Sequence, residues 1–153
     1  MSHLWSAAAT GAVPYAEDLA LYSSANGRLR FKAGATGRIR VVCNVTNVRD
    51  LESVRHLHVT YRDAGRAPEQ GQVSAVLKKV NRISGNIINV AGFSSESAPT
   101  GAEFFTGKSV RLQDDEIPLD DTEHYYYVVI TIERSDDETQ NPTVLGVYLD
   151  PGV

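Results

Sequence analysis

His56 and His58 stand two residues apart in His56-Leu57-His58-Val59-Thr60-Tyr61-Arg62, a stretch that alternates polar and apolar residues. On a strand, residues i and i+2 share a face, so both imidazoles project the same way, an arrangement that suits two ligands of a transition metal. Two histidines on the polar face of a half-exposed strand are more often plain surface residues, and that is the reading preferred here. Asp114, Asp115, Glu116, Asp120, Asp121 and Glu123 crowd carboxylates into one short stretch. Calcium takes about 6–8 oxygen ligands, which makes Asp114 and Asp115 further metal candidates, but the ordered EF-hand spacing is absent. Solvated loop acids are the expected case. Cys43 lies in the apolar run Val41-Val42-Cys43, with no base nearby in the sequence to activate a thiolate. A single cysteine also excludes an intrachain disulfide and any multi-thiolate zinc site. No GxSxG, Walker A, GxGxxG or HExxH motif occurs. The expectation is a protein with no catalytic residue, no bound metal and no cofactor.

The chain has 153 residues, 42% apolar and 22% charged, with a formal net charge of −4. That mixture supports one folded domain over residues 1–153. Arg28, Arg30, Lys32, Arg38 and Arg40 could form a basic stripe on adjacent strands beside Tyr22, a surface suited to single-stranded nucleic acid. The acidic total argues against that partner. No run of about 18 apolar residues is present, so insertion into a membrane by a helix is not expected. Residues 1–7 lack the charged and apolar regions of a secretory signal. The expected location is the cytoplasm or an assembled particle, or outside the cell where a leader has been removed.

Helical periodicity is poor, while β-branched and aromatic runs alternate between Gly, Asn and Asp punctuation. Asn26-Gly27 marks a hairpin, with Leu29 and Phe31 pointing inward and Arg28 and Arg30 outward. Ile39 and Val41, then Leu57, Val59 and Tyr61, repeat the pattern. Ser84-Gly85-Asn86 marks a second hairpin. Ala16–Tyr22 allows one helical turn. Short strands at this spacing predict an all-β fold, a two-sheet antiparallel sandwich of jelly-roll or Greek-key type, with a closed β-barrel as runner-up.

Two segments are apolar on both sides. In residues 125–132, Tyr126, Val128, Ile130 and Ile132 form one face, and Tyr125, Tyr127, Val129 and Thr131 the other. In residues 144–149, Leu145, Val147 and Leu149 oppose Val144, Gly146 and Tyr148. If these strands pair, their sheet has a second apolar face that water would not tolerate. Either a loop of the same chain, such as the Phe104-Phe105 segment, or a neighbouring subunit must cover it; the subunit is preferred, so Tyr125, Tyr127, Val129 and Tyr148, with Phe104 and Phe105, are the expected contacts of a homo-oligomer, a trimer as first guess. Val128, Ile130, Ile132, Leu145 and Val147 are expected to hold the core. Charge is also segregated: residues 28–66 carry 9 basic and 3 acidic side chains, and residues 103–138 carry 11 acidic and 3 basic. Either the two regions pair within the chain or unlike surfaces of neighbouring subunits meet.

His58-Val59-Thr60-Tyr61-Arg62-Asp63, the segment from Val76 to Gly85, Tyr125 to Ile132, and Val144 to Leu149 together resemble a class of small bacterial β-sandwich domains, often exported, with no established activity. The resemblance covers most of residues 38–149 and rests on packing motifs. It implies a sandwich and a ring-like oligomer, and carries over no catalytic residue. The functional expectation is a non-enzymatic structural or adhesive subunit of a coat, appendage, tail or surface layer. One alternative is a carbohydrate-binding module, with exposed Trp5, Tyr15 or Tyr22 stacking on sugar rings. The other is a small barrel enzyme acting on an apolar ligand.

Overall fold

A computed structural model describes residues 4–25, 28–63, 71–95, 105–135 and 142–152. Among the described residues, eleven strands form two open antiparallel sheets. Sheet A has the order β3 (Tyr22–Ala25), β4 (Arg28–Phe31), β11 (Thr143–Asp150), β6 (His56–Arg62), β9 (Thr106–Arg111), with β1 (Trp5–Ala8) also paired to β11. Sheet B has the order β2 (Val13–Pro14), β5 (Gly37–Val45), β10 (His124–Arg134), β7 (Gln72–Asn81), β8 (Ile87–Ser94). Most neighbours in a sheet are distant in sequence, as a Greek-key-like sandwich requires. Short 3-10 turns at Ala9–Gly11, Ala16–Asp18, Leu51–Ser53 and Asp114–Glu116 connect strands.

The core is the layer between the sheets. Leu29 and Phe31, Ile39 and Val41, Leu57, Val59 and Tyr61, and Val128, Ile130 and Ile132 are all buried, as their period of two demands. The rings of Tyr61 on sheet A and Phe93 on sheet B meet across this layer at 5.1 Å. One end is closed by Arg134, whose Nε donates to the Ala35 carbonyl at 2.7 Å while its guanidinium lies 4.7 Å from the Phe31 ring. Lys79 and Glu116 form an ion pair at the other end.

Two expectations change. First, β11 carries a bulge between Val144 and Gly146. An extra residue shifts the phase of a strand, so Val144, Val147 and Leu149 are buried and Leu145 is not a core residue. Gly146 is required there, because a Cβ would stand 2.6 Å from the Ala7 carbonyl oxygen of β1. Second, β10 and β11 belong to different sheets. Tyr148 therefore lies on the opposite side of the molecule from Tyr125 and Tyr127, and no apolar face is shared by the two strands.

The β7–β8 hairpin forms where Ser84-Gly85-Asn86 places it. Gly85 has φ +73°, and the Asn81 side-chain carbonyl accepts from the backbone of Ile83 and Ser84 at 2.9 Å each. Strands β3 and β4 pair as expected around Asn26-Gly27, which lie outside the described residues. Since Ile130 is fully buried and opposed by Val41 and Ala75, Ile130→Ala is expected to lower stability by about 2–5 kcal/mol in urea denaturation.

Candidate functional site

Three rows of side chains cross the outer face of sheet B. Register fixes them, since cross-strand partners lie side by side on one face. The central row is Val13, Val42, Val129, Val76 and Gly92, from β2 to β8. Although it faces away from the core, Val129 is only 8% exposed, so the chain's own neighbours shield most of it. On one side runs the row Asn44, Tyr127, Lys78, Asn89. Beyond it, Tyr125, Val80 and Ile87 stand in register, and Tyr125 is 57% exposed.

On the other side, the Tyr15 backbone N–H donates to the Arg40 carbonyl at 2.9 Å, which continues the β2–β5 ladder and brings Tyr15 to this face. The Arg40 guanidinium lies 4.5 Å from the Tyr15 ring centroid. It is held there by Asp18 at 3.1 Å and Glu17 at 2.7 Å. The Asp18 hydrogen bond raises the Arg40 pKa still further, so this residue is a fixed cation. Partial burial pushes the Tyr127 phenol above its ordinary range, and the neighbouring Tyr15 adds to that. Tyr15, Tyr127 and Tyr125 thus form an aromatic set on one sheet face, with amides and amines between and beside them. Stacked apolar contact at a ring face combined with polar groups at its margin is the chemistry that holds a sugar ring.

A cleft of about 240 Å³ opens where β10 begins. Asn47, Arg82, Asp121, His124, Tyr125 and Tyr126 are among its walls. Arg82 sits 4.3 Å from the Tyr125 ring centroid. The His124 Nδ1 is buried with no hydrogen-bond partner among the described residues. Tyr126 forms the floor, and its hydroxyl accepts from the Asp120 backbone at 2.9 Å.

The remaining candidates are dispersed. Trp5, Tyr15 and Tyr22 are all half-buried, so the open exposure expected of them is not found, and Trp5 and Tyr22 lie on sheet A. Only Tyr15 of that trio is on the tyrosine face. His58 lies on the outer face of sheet A, stacked on Tyr148 at 4.3 Å, with Nε2 2.5 Å from Asp150 Oδ2. His56 Nδ1 is 3.9 Å from the same carboxylate. Asp114 pairs with Arg111 at 3.0 Å, and Asp115 is exposed in the same short turn. Among the described residues no group of three or more His, Cys, Asp or Glu could hold a metal ion. Phe105 lies between Arg28 and Arg62, at 5.2 Å from each, and Phe104 is outside the described residues. The basic stripe does not form, because β4 and β5 are in different sheets. Among the described residues, no helix is long and apolar enough to cross a membrane. Lys78, Asn44 and Asn89 carried no sequence signal, since their juxtaposition depends on register alone.

No protein-family model and no curated protein matches the chain. Among solved structures, it is similar to the carbohydrate recognition domain of Emp46p, with 12% identity and a TM-score of 0.50, over 86% of both chains. It is also similar to the xylan-binding module CBM15, with 11% identity and a TM-score of 0.47, over 86% of this chain and 84% of that one. A likeness to PfGH50B has 10% identity and a TM-score of 0.47. It covers 86% of this chain and spans 21% of the length of PfGH50B. At these identities the likeness is one of fold: the chain is a β-sandwich of the kind seen in a carbohydrate recognition domain.

Cys43 faces the core, and burial pushes its thiol up to about 11. The sign follows: with a folded value above the unfolded 9.0, its contribution to stability is complete below 9.0 and is lost as pH rises toward 11. At about pH 8 a disulfide-based thiol reagent is expected to leave the native protein unlabelled and to label it readily once denaturant exposes the core. Rapid labelling of the folded chain would contradict this placement.

Proposed function

We propose that this protein is a non-catalytic carbohydrate-binding module whose ligand lies across the outer face of sheet B. The observation that carries the reading is the alignment of Tyr15, Tyr127 and Tyr125 on one face, with Asn44, Lys78 and Asn89 in the same row as Tyr127. Pyranose rings present apolar C–H faces and a rim of hydroxyls. Tyrosine faces suit the first, and amide and ammonium groups suit the second. The sandwich fold shared with a carbohydrate recognition domain is compatible with this role.

The test is affinity electrophoresis and a glycan array. Tyr127→Ala is expected to weaken retention by a soluble polysaccharide about tenfold, equivalent to about 1.4 kcal/mol. Arg30→Gln, on the opposite sheet, is expected to leave it unchanged. Binding that survives removal of both Tyr125 and Tyr127 would refute the assignment of this face.

A second reading is supported by the apolar exposure of the same surface. Val13 at 67%, Ile87 and Tyr125 could join copies of the chain in a homo-oligomer, a trimer among the possible states. Light scattering at low micromolar concentration checks it. An oligomer that Tyr125→Glu dissociates would favour self-association through this face, while a monomer that binds glycan would favour the module.

A further inference from the structure

Lys78 is placed differently from the other cations on the outer face of sheet B. Arg38 is the cross-strand partner of Glu133. Arg40 is held by Asp18 and Glu17. Arg82 covers one side of Tyr125 and shares its surroundings with Asp120 and the cleft acid Asp121. Lys78 has no ion-pair or hydrogen-bond partner among the described residues. Its cross-strand neighbours are Tyr127 on β10 and Asn89 on β8, and Asn44 follows Tyr127 in the same row. Leu77, one residue earlier, is fully buried, so the alternation of β7 turns Lys78 outward. The chain as a whole carries a formal net charge of −4, yet the described residues of this row include a cation and no acid.

An ammonium beside a tyrosine ring has a specific use. A sugar stacked on Tyr127 would direct the substituents at its edge toward Lys78 on one side and Asn44 on the other. A hydroxyl there gains a neutral hydrogen bond. A carboxylate gains a charge-assisted one, roughly twice as strong. Resting on the glycan-binding reading, we propose that the ligand class is an acidic polysaccharide. A hexuronate ring would stack on Tyr127, its carboxylate would be received by Lys78 Nζ, and Asn44 and Asn89 would hydrogen-bond the flanking hydroxyls.

The experiment uses the full chain and three polyuronates: polygalacturonate, polymannuronate and polyglucuronate. Each is paired with the same polymer after reduction of its carboxyls to primary alcohols. Isothermal titration is expected to show at least one polyuronate binding about tenfold or more tightly than its reduced counterpart, with the advantage shrinking as salt rises. Lys78→Gln should erase that advantage, weakening the polyuronate far more than the reduced polymer, which loses only one neutral hydrogen bond, and should leave the melting temperature unchanged; Lys78→Arg should retain most of the advantage. Equal binding of the charged and reduced polymers, or an acid preference that survives Lys78→Gln, would overturn the acidic class and leave glycan binding standing. Binding to no polymer, charged or neutral, on these samples and on the wider array would overturn glycan binding as well.

Discussion

The structure depends on β10 being paired along nearly its whole length on both sides, with β5 and with β7. A strand in that position has no edge, and its backbone groups are consumed by the two ladders. Its inward residues, Tyr126, Val128, Ile130 and Ile132, then meet the core, and its outward residues must find company on the face of the same sheet. Val129 finds it among Val13, Val42 and Val76. At Val129 the apolar outward face that the sequence displays is thus satisfied by neighbouring strands of the same chain. What remains open to solvent on this face is Tyr125 with the aliphatic Val13 and Ile87, beside the polar row of Asn44, Lys78 and Asn89.

The facing of individual strands was legible wherever alternation ran unbroken. Leu29 and Phe31, Ile39 and Val41, Leu57 through Tyr61, and the β10 series all bury the side their period predicts. The same reasoning failed on β11, because a bulge at Leu145 changes the phase midway and a two-residue period has no means of announcing an inserted residue. Strand partnership was less legible still. Greasy composition placed β10 and β11 together, but partnership is decided by long-range packing, and it puts them in opposite sheets. Strands β1 and β2 were missed because Ala, Ser and Pro carry little strand preference; their pairing comes from tertiary context.

The candidate site was legible in part. Alternation along β10 gives the outward direction of Tyr125 and Tyr127, though it suggests a subunit contact for them, and Tyr15 stands out only as a ring. Trp5, Tyr15 and Tyr22 look alike as aromatic residues near the start of the chain and are equally half-buried; what separates them is the sheet each joins, which composition does not tell. The amide–tyrosine–lysine row was illegible, since Asn44, Tyr127, Lys78 and Asn89 come from four strands and meet only through register. His56 and His58 do share a face, as their spacing requires, but they are engaged around the buried Asp150 carboxylate on sheet A, far from the tyrosines.

The pairing of β1 with β11 has a consequence for attachment. Leu4 donates to the Leu149 carbonyl at 3.0 Å, so the first and last described strands meet at one corner of sheet A. A tether, fusion or solid support joined near either end would approach from that corner. The Arg49 N–H donates to the Leu4 carbonyl at 3.3 Å, and Asn47 and Val48 wall the cleft that holds Tyr125, so an anchor at that corner would sit at the same end of the sandwich as the cleft.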